Sequence, residues 1–126
     1  MVSKNITAGL FPKQHKYKRN ESGSENSIAI MFYYVYVLQS MKNRSLYVGY
    51  THDLKKRLQE HNRGLNLSTK RYIPWDLVHY EAYHNEKDAK RREQYLKTSQ
   101  GIRLLKRMLK EYFYSQNLTN RVSTTR

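Results

Sequence analysis

The stretch "YVYVLQSMKNRSLYVGYT", residues 34–51, decides the fold of this chain. It holds most of two runs rich in β-branched and aromatic residues, 33–39 and 45–50, separated by the mostly polar segment 41–44. Such residues favour strands, and a short polar break between two such runs is typical of a β-hairpin. We therefore predict an antiparallel hairpin with a four-residue loop.

The register of this hairpin brings two tyrosines together. Counting back from the loop places Tyr36 opposite Gly49 and Leu38 opposite Tyr47, with all four residues on one face of the sheet. Tyr36 and Tyr47 are then diagonal neighbours. Glycine within a strand often marks the close approach of a ligand or of another backbone. We expect open space above Gly49, bordered by the two hydroxyls.

The patterns that follow alternate between helix and strand, which favours an α/β (α+β) domain. The segment 51–64 opens with the capping residues Thr51 and Asp53 and closes at Gly64, which predicts a helix. Further along the chain we predict a loop or short helical turn over 65–74, a third strand over 75–83, a helix capped by Asn85, and an amphipathic helix over 102–114.

The charge of the chain points to a polyanionic partner. Its 126 residues suit one domain and carry a net charge of +14. The segment 31–112 alone has 17 Lys and Arg against 8 Asp and Glu. A field of this size attracts nucleic acids, whereas no segment has the long apolar face that membrane binding needs. The absence of cysteine excludes disulfides and thiolate metal sites.

Composition divides the chain into three parts. Residues 1–30 show no helical or strand periodicity, and we expect a disordered basic arm. Residues 31–112 form the domain, and residues 113–126 are expected to be a frayed tail. Because no secretory leader is visible, we expect a cytoplasmic protein.

Two helices direct polar residues toward the core. Arg57 and His61 are four residues apart, so they share a helix face at the edge of the apolar stripe. Glu93 lies where the next helix should be apolar, and a carboxylate in that position needs a cation or a metal. With Tyr36 and Tyr47, these side chains could cut a phosphodiester: arginine fits phosphate oxygens, and one carboxylate can hold Mg²⁺.

The order and spacing of these residues resemble the GIY-YIG nuclease domain family. The resemblance rests on "YVY" at 34–36, "YVG" at 47–49, Arg57, His61 and Glu93 in "AKRREQYLK". It covers about residues 32–110 and is closest to the small single-domain members, which resemble the nuclease half of the bacterial excision-repair endonuclease.

The resemblance implies a three-stranded antiparallel sheet flanked by helices and single-metal hydrolysis of DNA, with Mg²⁺ or Mn²⁺ as cofactor. Tyr36 and Tyr47 would take the places of the motif tyrosines, with Tyr47 favoured as the base. Arg57 would stabilise the phosphate, His61 would assist proton transfer or positioning, and Glu93 would bind the metal.

Two positions depart from the family pattern. Tyr34 stands where the name-giving glycine is found, on the outer part of a strand. The late asparagine of the family is missing, and Lys97, Ser99 and Gln100 are the candidates to take its place.

Several residues are candidates for contact with DNA or RNA. The "STKRY" loop at 68–72 has cations and hydroxyls, as a phosphate-binding loop would. The nucleic-acid-binding candidates are Gly49, Lys55, Lys56, Ser68, Lys70, Arg71 and Lys97. Because no helix-turn-helix or zinc-finger pattern is visible, we expect low sequence specificity, with any preference for flaps, branches or single strands in DNA repair or processing.

A structural interpretation of each site residue stays open at this point. Arg57 could pair on the helix surface with Glu60 or Asp53, His61 could be a C-terminal helix cation, and Glu93 could simply be the partner of Arg57. The protein would then be a nucleic-acid-binding module that cuts nothing. The sequence leaves the oligomeric state open.

Overall fold

The computed structural model describes residue 11, residues 15–21 and residues 24–124, with side chains described for Phe11 and residues 31–118. In this part of the chain the strands are β1 (His15–Glu21), β2 (Ser24–Ile30), β3 (Tyr33–Ser40), β4 (Leu46–Thr51) and β5 (Trp75–Tyr83). The helices are α1 (Leu54–Asn62), α2 (Glu86–Leu96), α3 (Ser99–Met108) and α4 (Lys110–Thr124), with a 3₁₀ turn at Lys70–Tyr72. The predicted α+β class is confirmed.

The central sheet has the antiparallel order β4-β3-β5, so β3 lies in the middle and β4 at one edge. The Ser40 N–H donates to the Ser45 carbonyl oxygen at 2.9 Å and closes the predicted four-residue loop. Tyr36 lies opposite Gly49, and the residue pair two positions nearer the loop is Leu38 with Tyr47. The predicted hairpin register is confirmed.

Alternate residues of β3 build two cores, because successive side chains of a strand point to opposite faces. Val35 and Val37 pack on one face against the buried side chains of α2 and α3. On the other face Tyr36 packs with Leu54 of α1 and Trp75. The sheet is therefore covered on both sides, and the two tyrosines of the predicted site belong to the α1 side.

Side-chain caps set the helix boundaries. Asp53 caps α1 by accepting a backbone N–H of the first turn at 3.1 Å, and Gly64 follows the helix end with a φ of +76°. Thr51 does not cap the helix; its hydroxyl accepts the Asp53 N–H at 3.1 Å. Asn85 caps α2, as predicted, by accepting a backbone N–H at 2.9 Å. These caps fix where Arg57 and Glu93 stand along their helices.

A polar cluster fastens α2 to β5. The Arg92 guanidinium donates to both carboxylate oxygens of Glu81, at 2.9 and 3.1 Å, and the Tyr83 hydroxyl donates to the same carboxylate at 2.7 Å. Burial would raise the pKa of Glu81, but the hydrogen bonds from Arg92, Tyr83 and His79 outweigh it and lower the pKa to about 2. This polar cluster holds α2 against the sheet and so positions Glu93.

The amphipathic C-terminal region differs from its prediction, because it forms two helices. α3 begins at Ser99, since the Thr98 hydroxyl accepts the Gly101 N–H at 3.1 Å. A Cβ on Gly101 would overlap the carbonyl oxygen of Tyr95, so glycine permits the close approach of α2 and α3. Leu109 separates α3 from α4.

The described residues near both ends of the chain have regular secondary structure. β1 and β2 form a hairpin, with Tyr17 opposite Ile28, where composition predicted a disordered arm. The alternating Ile28 and Ile30 and the turn-forming dipeptide Ser22-Gly23 are its signals in the sequence. α4 continues to Thr124 through the segment predicted as frayed. In the described residues, no helix has the length and apolar character to cross a membrane.

Candidate active site

Tyr36 lies at the centre of β3 and is only 1% exposed. Its ring occupies the space that Gly49 leaves above β4: a Cβ built on Gly49 would lie 2.8 Å from Tyr36 Cε1 and closer still to Cζ and the hydroxyl oxygen. The prediction of open space above Gly49 is therefore wrong, because the Tyr36 phenol fills it. Gly49 contributes a close fit to this ring, which leaves no side-chain-sized gap for a ligand there.

The Tyr36 hydroxyl joins a chain of hydrogen bonds. Arg57 Nε donates to it at 3.3 Å, and since guanidinium only donates, the Tyr36 proton is directed to His61 Nε2 at 2.9 Å. The other ring nitrogen of His61, Nδ1, lies 2.8 Å from Thr69 Oγ1. The Thr69 hydroxyl in turn donates to the Asn66 carbonyl oxygen at 3.4 Å. We assign His61 as the tautomer that accepts at Nε2 and donates from Nδ1.

Burial and the neighbouring cation set the protonation states of this chain. Burial raises the pKa of Tyr36 to about 12, although the hydrogen bond from Arg57 acts in the opposite direction. Burial and the charge of Arg57 lower the pKa of His61 to about 4. At neutral pH, Tyr36 is therefore a protonated donor and His61 a neutral acceptor, so the interpretation of His61 as a helix-terminal cation is wrong.

Tyr47 stands beside this chain of hydrogen bonds and takes no part in it. Its ring centroid lies 5.0 Å from that of His61, 6.3 Å from that of Tyr36 and 6.1 Å from that of Trp75. The ring is half-buried. Among the side chains that the structure describes, none forms a hydrogen bond with its hydroxyl. Tyr47 thus has a fixed ring and a hydroxyl available to a substrate.

Arg57 is held from both sides. Besides Tyr36, its guanidinium contacts Glu60, with Nη1 3.2 Å from Oε1, and about a third of each side chain is exposed. The hydrogen bond with Tyr36 is the main cause that raises the pKa of Arg57, and the nearby Tyr47 adds to it. The arginine therefore lies within electrostatic reach of both tyrosines and keeps an exposed part for an anion.

Glu93 does not pair with Arg57, so the interpretation of these two residues as mutual partners is wrong. The Glu93 carboxylate lies 3.2 Å from Lys97 Nζ, and its side chain is 20% exposed. Its negative charge contributes to the raised pKa of Tyr36, which places it within electrostatic reach of the buried phenol. Of the three residues proposed to replace the missing asparagine, Lys97 is thus the one that contacts the predicted metal ligand.

The donor set fits a metal that needs few protein ligands. In the described part of the chain, no group of three or more His, Cys, Asp and Glu side chains could hold a metal ion. Mg²⁺ keeps several of its waters and binds through one or two carboxylates. The accessible Glu93 carboxylate meets this requirement, whereas it would not suit zinc.

The candidates for nucleic-acid contact mostly lie on exposed surface. Lys55 and Lys56 are exposed on the first turn of α1, and Ser68, Lys70 and Arg71 are exposed in the loop that leads to β5. Between Ser68 and Lys70 lies Thr69, which the sequence did not single out. This residue is fully buried and binds His61. Its only sequence signal is a hydroxyl within a polar loop.

Comparison with known proteins shows the family of this chain. A family model described as the GIY-YIG catalytic domain matches residues 32–103, a span that contains every residue of the candidate site. The chain is 36% identical over 90 residues to UPF0213 protein CPE1444 of Clostridium perfringens, a match that covers 68% of this chain and 96% of the relative. It is 44% identical over 57 residues to UPF0213 protein SpyM3_1077 of Streptococcus pyogenes, covering 44% of this chain and 61% of that protein. No solved structure matches the chain significantly.

Proposed function

Because the chain belongs to the GIY-YIG nuclease family, we propose that it is a cytoplasmic DNA endonuclease that hydrolyses phosphodiester bonds with Mg²⁺ or Mn²⁺. The observation that carries this proposal is the convergence of Tyr36, Tyr47, Arg57 and His61, with one hydroxyl and part of one guanidinium left for a substrate. The net charge of +14 supports a polyanionic substrate.

The residues divide the reaction between them. Tyr47 is the group that contacts the attacking water, because its hydroxyl has no described partner in the protein and Arg57 lies close to it. Arg57 places its guanidinium against the phosphate oxygens, where it stabilises the charge that develops in the transition state.

Tyr36 and His61 act as positioning residues. The Tyr36 hydroxyl accepts from Arg57 and donates to neutral His61, so together they fix the direction of the guanidinium. Glu93 would hold the metal, which when bound supplies positive charge for the leaving 3′ oxygen. Lys55, Lys56, Lys70 and Arg71 would contact phosphates and add affinity without sequence specificity, as expected for an enzyme of DNA repair or processing that selects a DNA structure.

One assay tests this function. Purified protein with Mg²⁺ is incubated with plasmid, branched and single-stranded DNA, beside Tyr47→Phe and Glu93→Gln. We expect Tyr47→Phe to lower kcat by about 10²- to 10⁴-fold. The free energy of unfolding should change by less than about 0.5 kcal/mol, because no described hydrogen bond is lost.

Two matched variants serve as controls. Tyr50 lies on the same strand as Tyr47 but packs with the opposite core, so Tyr50→Phe should still cut. Glu86→Gln removes a carboxylate from the same helix as Glu93, at an exposed position, and should also leave cutting intact. If the wild type binds DNA but nicks none of the three substrates, the endonuclease proposal fails.

The contact between Lys97 and Glu93 favours a second candidate, a nucleic-acid-binding module with a degenerate nuclease fold. A carboxylate already paired with an ammonium is a poorer ligand for Mg²⁺. On this alternative, Glu93→Gln leaves DNA binding unchanged and the wild type shows no metal-dependent cutting.

A further inference from the structure

A cavity of about 400 Å³ lies between the β3–β4 hairpin and the helices α3 and α4. We call it the hairpin–helix groove. Its lining includes Arg44 of the hairpin loop, Lys106 of α3, and Lys110, Phe113 and Tyr114 of α4. Its volume falls within the range of sites that hold small ligands or parts of larger ones.

The groove is positively charged. Arg44, Lys106 and Lys110 line it, and no carboxylate is among its described lining residues. Lys110 Nζ lies 3.8 Å from Glu111 Oε1, but these side chains are 75% and 84% exposed, so the pair is weak. The ligand that suits this lining is an anion with more than one charge.

Aromatic rings accompany the cations. Tyr114 is 63% exposed, an unusual degree for so large a ring, and Phe113 beside it is half-buried. Phe113 packs edge-on against Tyr112 with ring centroids 5.4 Å apart, which holds it in place. Cations that follow a backbone, together with rings on which bases stack, form the pattern by which proteins bind single strands. In a duplex the base faces are covered by their neighbours.

The groove lies across the sheet from the candidate active site, yet close to it along β4. Leu46 lines the groove and packs with the core of α2 and α3, whereas the next residue, Tyr47, packs with the α1 core. β4 is an edge strand of the central sheet, and no described strand pairs with its outer edge to separate the two surfaces. A nucleic-acid strand that passed from Tyr47 around this edge would meet the groove at Leu46.

We propose that the hairpin–helix groove binds a single-stranded segment of nucleic acid, with phosphates on Arg44, Lys106 and Lys110 and a base stacked on Tyr114. This inference rests on the proposed function, since the strand in the groove continues from the substrate at Tyr47. The enzyme would then select DNA with a single-stranded portion beside the cut.

Binding is measured without divalent metal, in EDTA, so that no cutting occurs. A labelled 20-nucleotide single strand and the duplex of the same sequence are titrated by fluorescence anisotropy at several salt concentrations. Tyr114→Ala should weaken single-strand binding by roughly 5- to 150-fold and duplex binding by less than about twofold. Lys106→Gln with Lys110→Gln should reduce the salt slope for the single strand by about 1.4, since each lost phosphate contact contributes about 0.7.

Matched control substitutions, of the same residue types as those in the groove, lie on α2. Tyr95 is 40% exposed, and Lys87 and Lys90 are exposed on the first half of α2, where Lys90 Nζ lies 5.5 Å from the centroid of the Tyr50 ring. Tyr95→Ala and the double variant Lys87→Gln, Lys90→Gln should leave the single-strand preference unchanged.

The two proposals fail in different ways. A wild type that binds the single strand at the groove but cuts nothing refutes the endonuclease and leaves the groove standing. Groove variants that bind the single strand like wild type refute the groove even if the wild type cuts DNA. Equal losses on single strand and duplex for Tyr114→Ala also refute it. Polyglutamate, titrated in the same way, serves as an acidic polypeptide probe. Groove variants that lose binding to polyglutamate but not to the single strand would assign the groove to an acidic protein segment and overturn the proposal.

Discussion

The close fit between Gly49 and the Tyr36 ring makes Gly49→Ala an informative substitution. The added methyl would lie 2.8 Å from Tyr36 Cε1 and closer to Cζ and the hydroxyl oxygen. Because the ring is only 1% exposed, it cannot give way toward solvent without disturbing its neighbours. Any displacement breaks its hydrogen bonds to His61 at 2.9 Å and from Arg57 at 3.3 Å.

The expected size of the effect follows from these contacts. Forcing a methyl into a filled core costs about 1–3 kcal/mol. Two lost hydrogen bonds add about 1 kcal/mol each, so Gly49→Ala should lower the free energy of unfolding by about 3–5 kcal/mol. In a protein that lacks the Tyr36 ring, Gly49→Ala should raise the free energy of unfolding instead of lowering it. Replacing glycine by alanine within a regular element normally stabilises that element by about 0.5–1 kcal/mol.

Urea unfolding of Gly49→Ala, in wild type and in a Tyr36→Leu background, measures the free-energy cost of this clash. The single tryptophan, Trp75, is 5% exposed and adjoins this core, so its fluorescence reports the transition. In a Tyr36→Leu background, Gly49→Ala should instead raise the free energy of unfolding by up to about 1 kcal/mol, giving a coupling energy of at least about 3 kcal/mol. A Gly49→Ala protein as stable as wild type, in the presence of Tyr36, would refute the close fit.

Two further predictions concern buried polar groups. The pKa of His61 is about 4 in the folded state against 6.5 for the free side chain, so the unfolded chain binds its proton more readily as the pH falls through this window. The free energy of unfolding should therefore drop by about 2 kcal/mol between pH 7 and pH 5. Urea unfolding should show this loss for wild type and not for His61→Gln. Equal losses in the two proteins would contradict the assignment of His61 as a neutral, buried acceptor. The Tyr34 hydroxyl is buried and has no hydrogen-bond partner in the part of the chain that the structure describes. Tyr34→Phe should therefore raise the free energy of unfolding by about 1 kcal/mol, whereas a loss of stability would show that the hydroxyl has a partner.

The sequence predicts the hairpin register and the helix starts of this protein, because interactions between residues near one another in the chain determine them. A four-residue loop and strict alternation fix the β3–β4 register, since a slip of one residue would turn every side chain to the wrong face. Asp53 and Asn85 mark their helices by capping chemistry that acts within three residues. The same alternation is sufficient to predict that Tyr36 and Tyr47 share one face of the sheet.

The features that the sequence could not supply depend on side-chain direction and on distant contacts. Whether the space above Gly49 is open or filled depends on the side-chain conformation of Tyr36, and no periodicity encodes it. The contact of Thr69 with His61 depends on how the loop after α1 folds back on the helix. The spacing of Glu93 and Lys97 permits an i, i+4 pair, but the position of Glu93 on the apolar stripe equally predicts a partner across the core, and only the structure distinguishes the two.

The two tyrosines of the motif are equivalent in register and different in environment. Tyr36 lies between the sheet and α1, where burial raises its pKa and its hydroxyl forms hydrogen bonds with Arg57 and His61. Tyr47 lies on the edge strand, half-buried and uncommitted among the described side chains. A group that must exchange a proton with water needs access, whereas a group that must hold an arginine in place needs a fixed partner. Burial therefore supports the proposed division, with positioning for Tyr36 and proton transfer for Tyr47, and Gly49 makes this difference in burial possible, because only glycine lets the Tyr36 ring lie so deep.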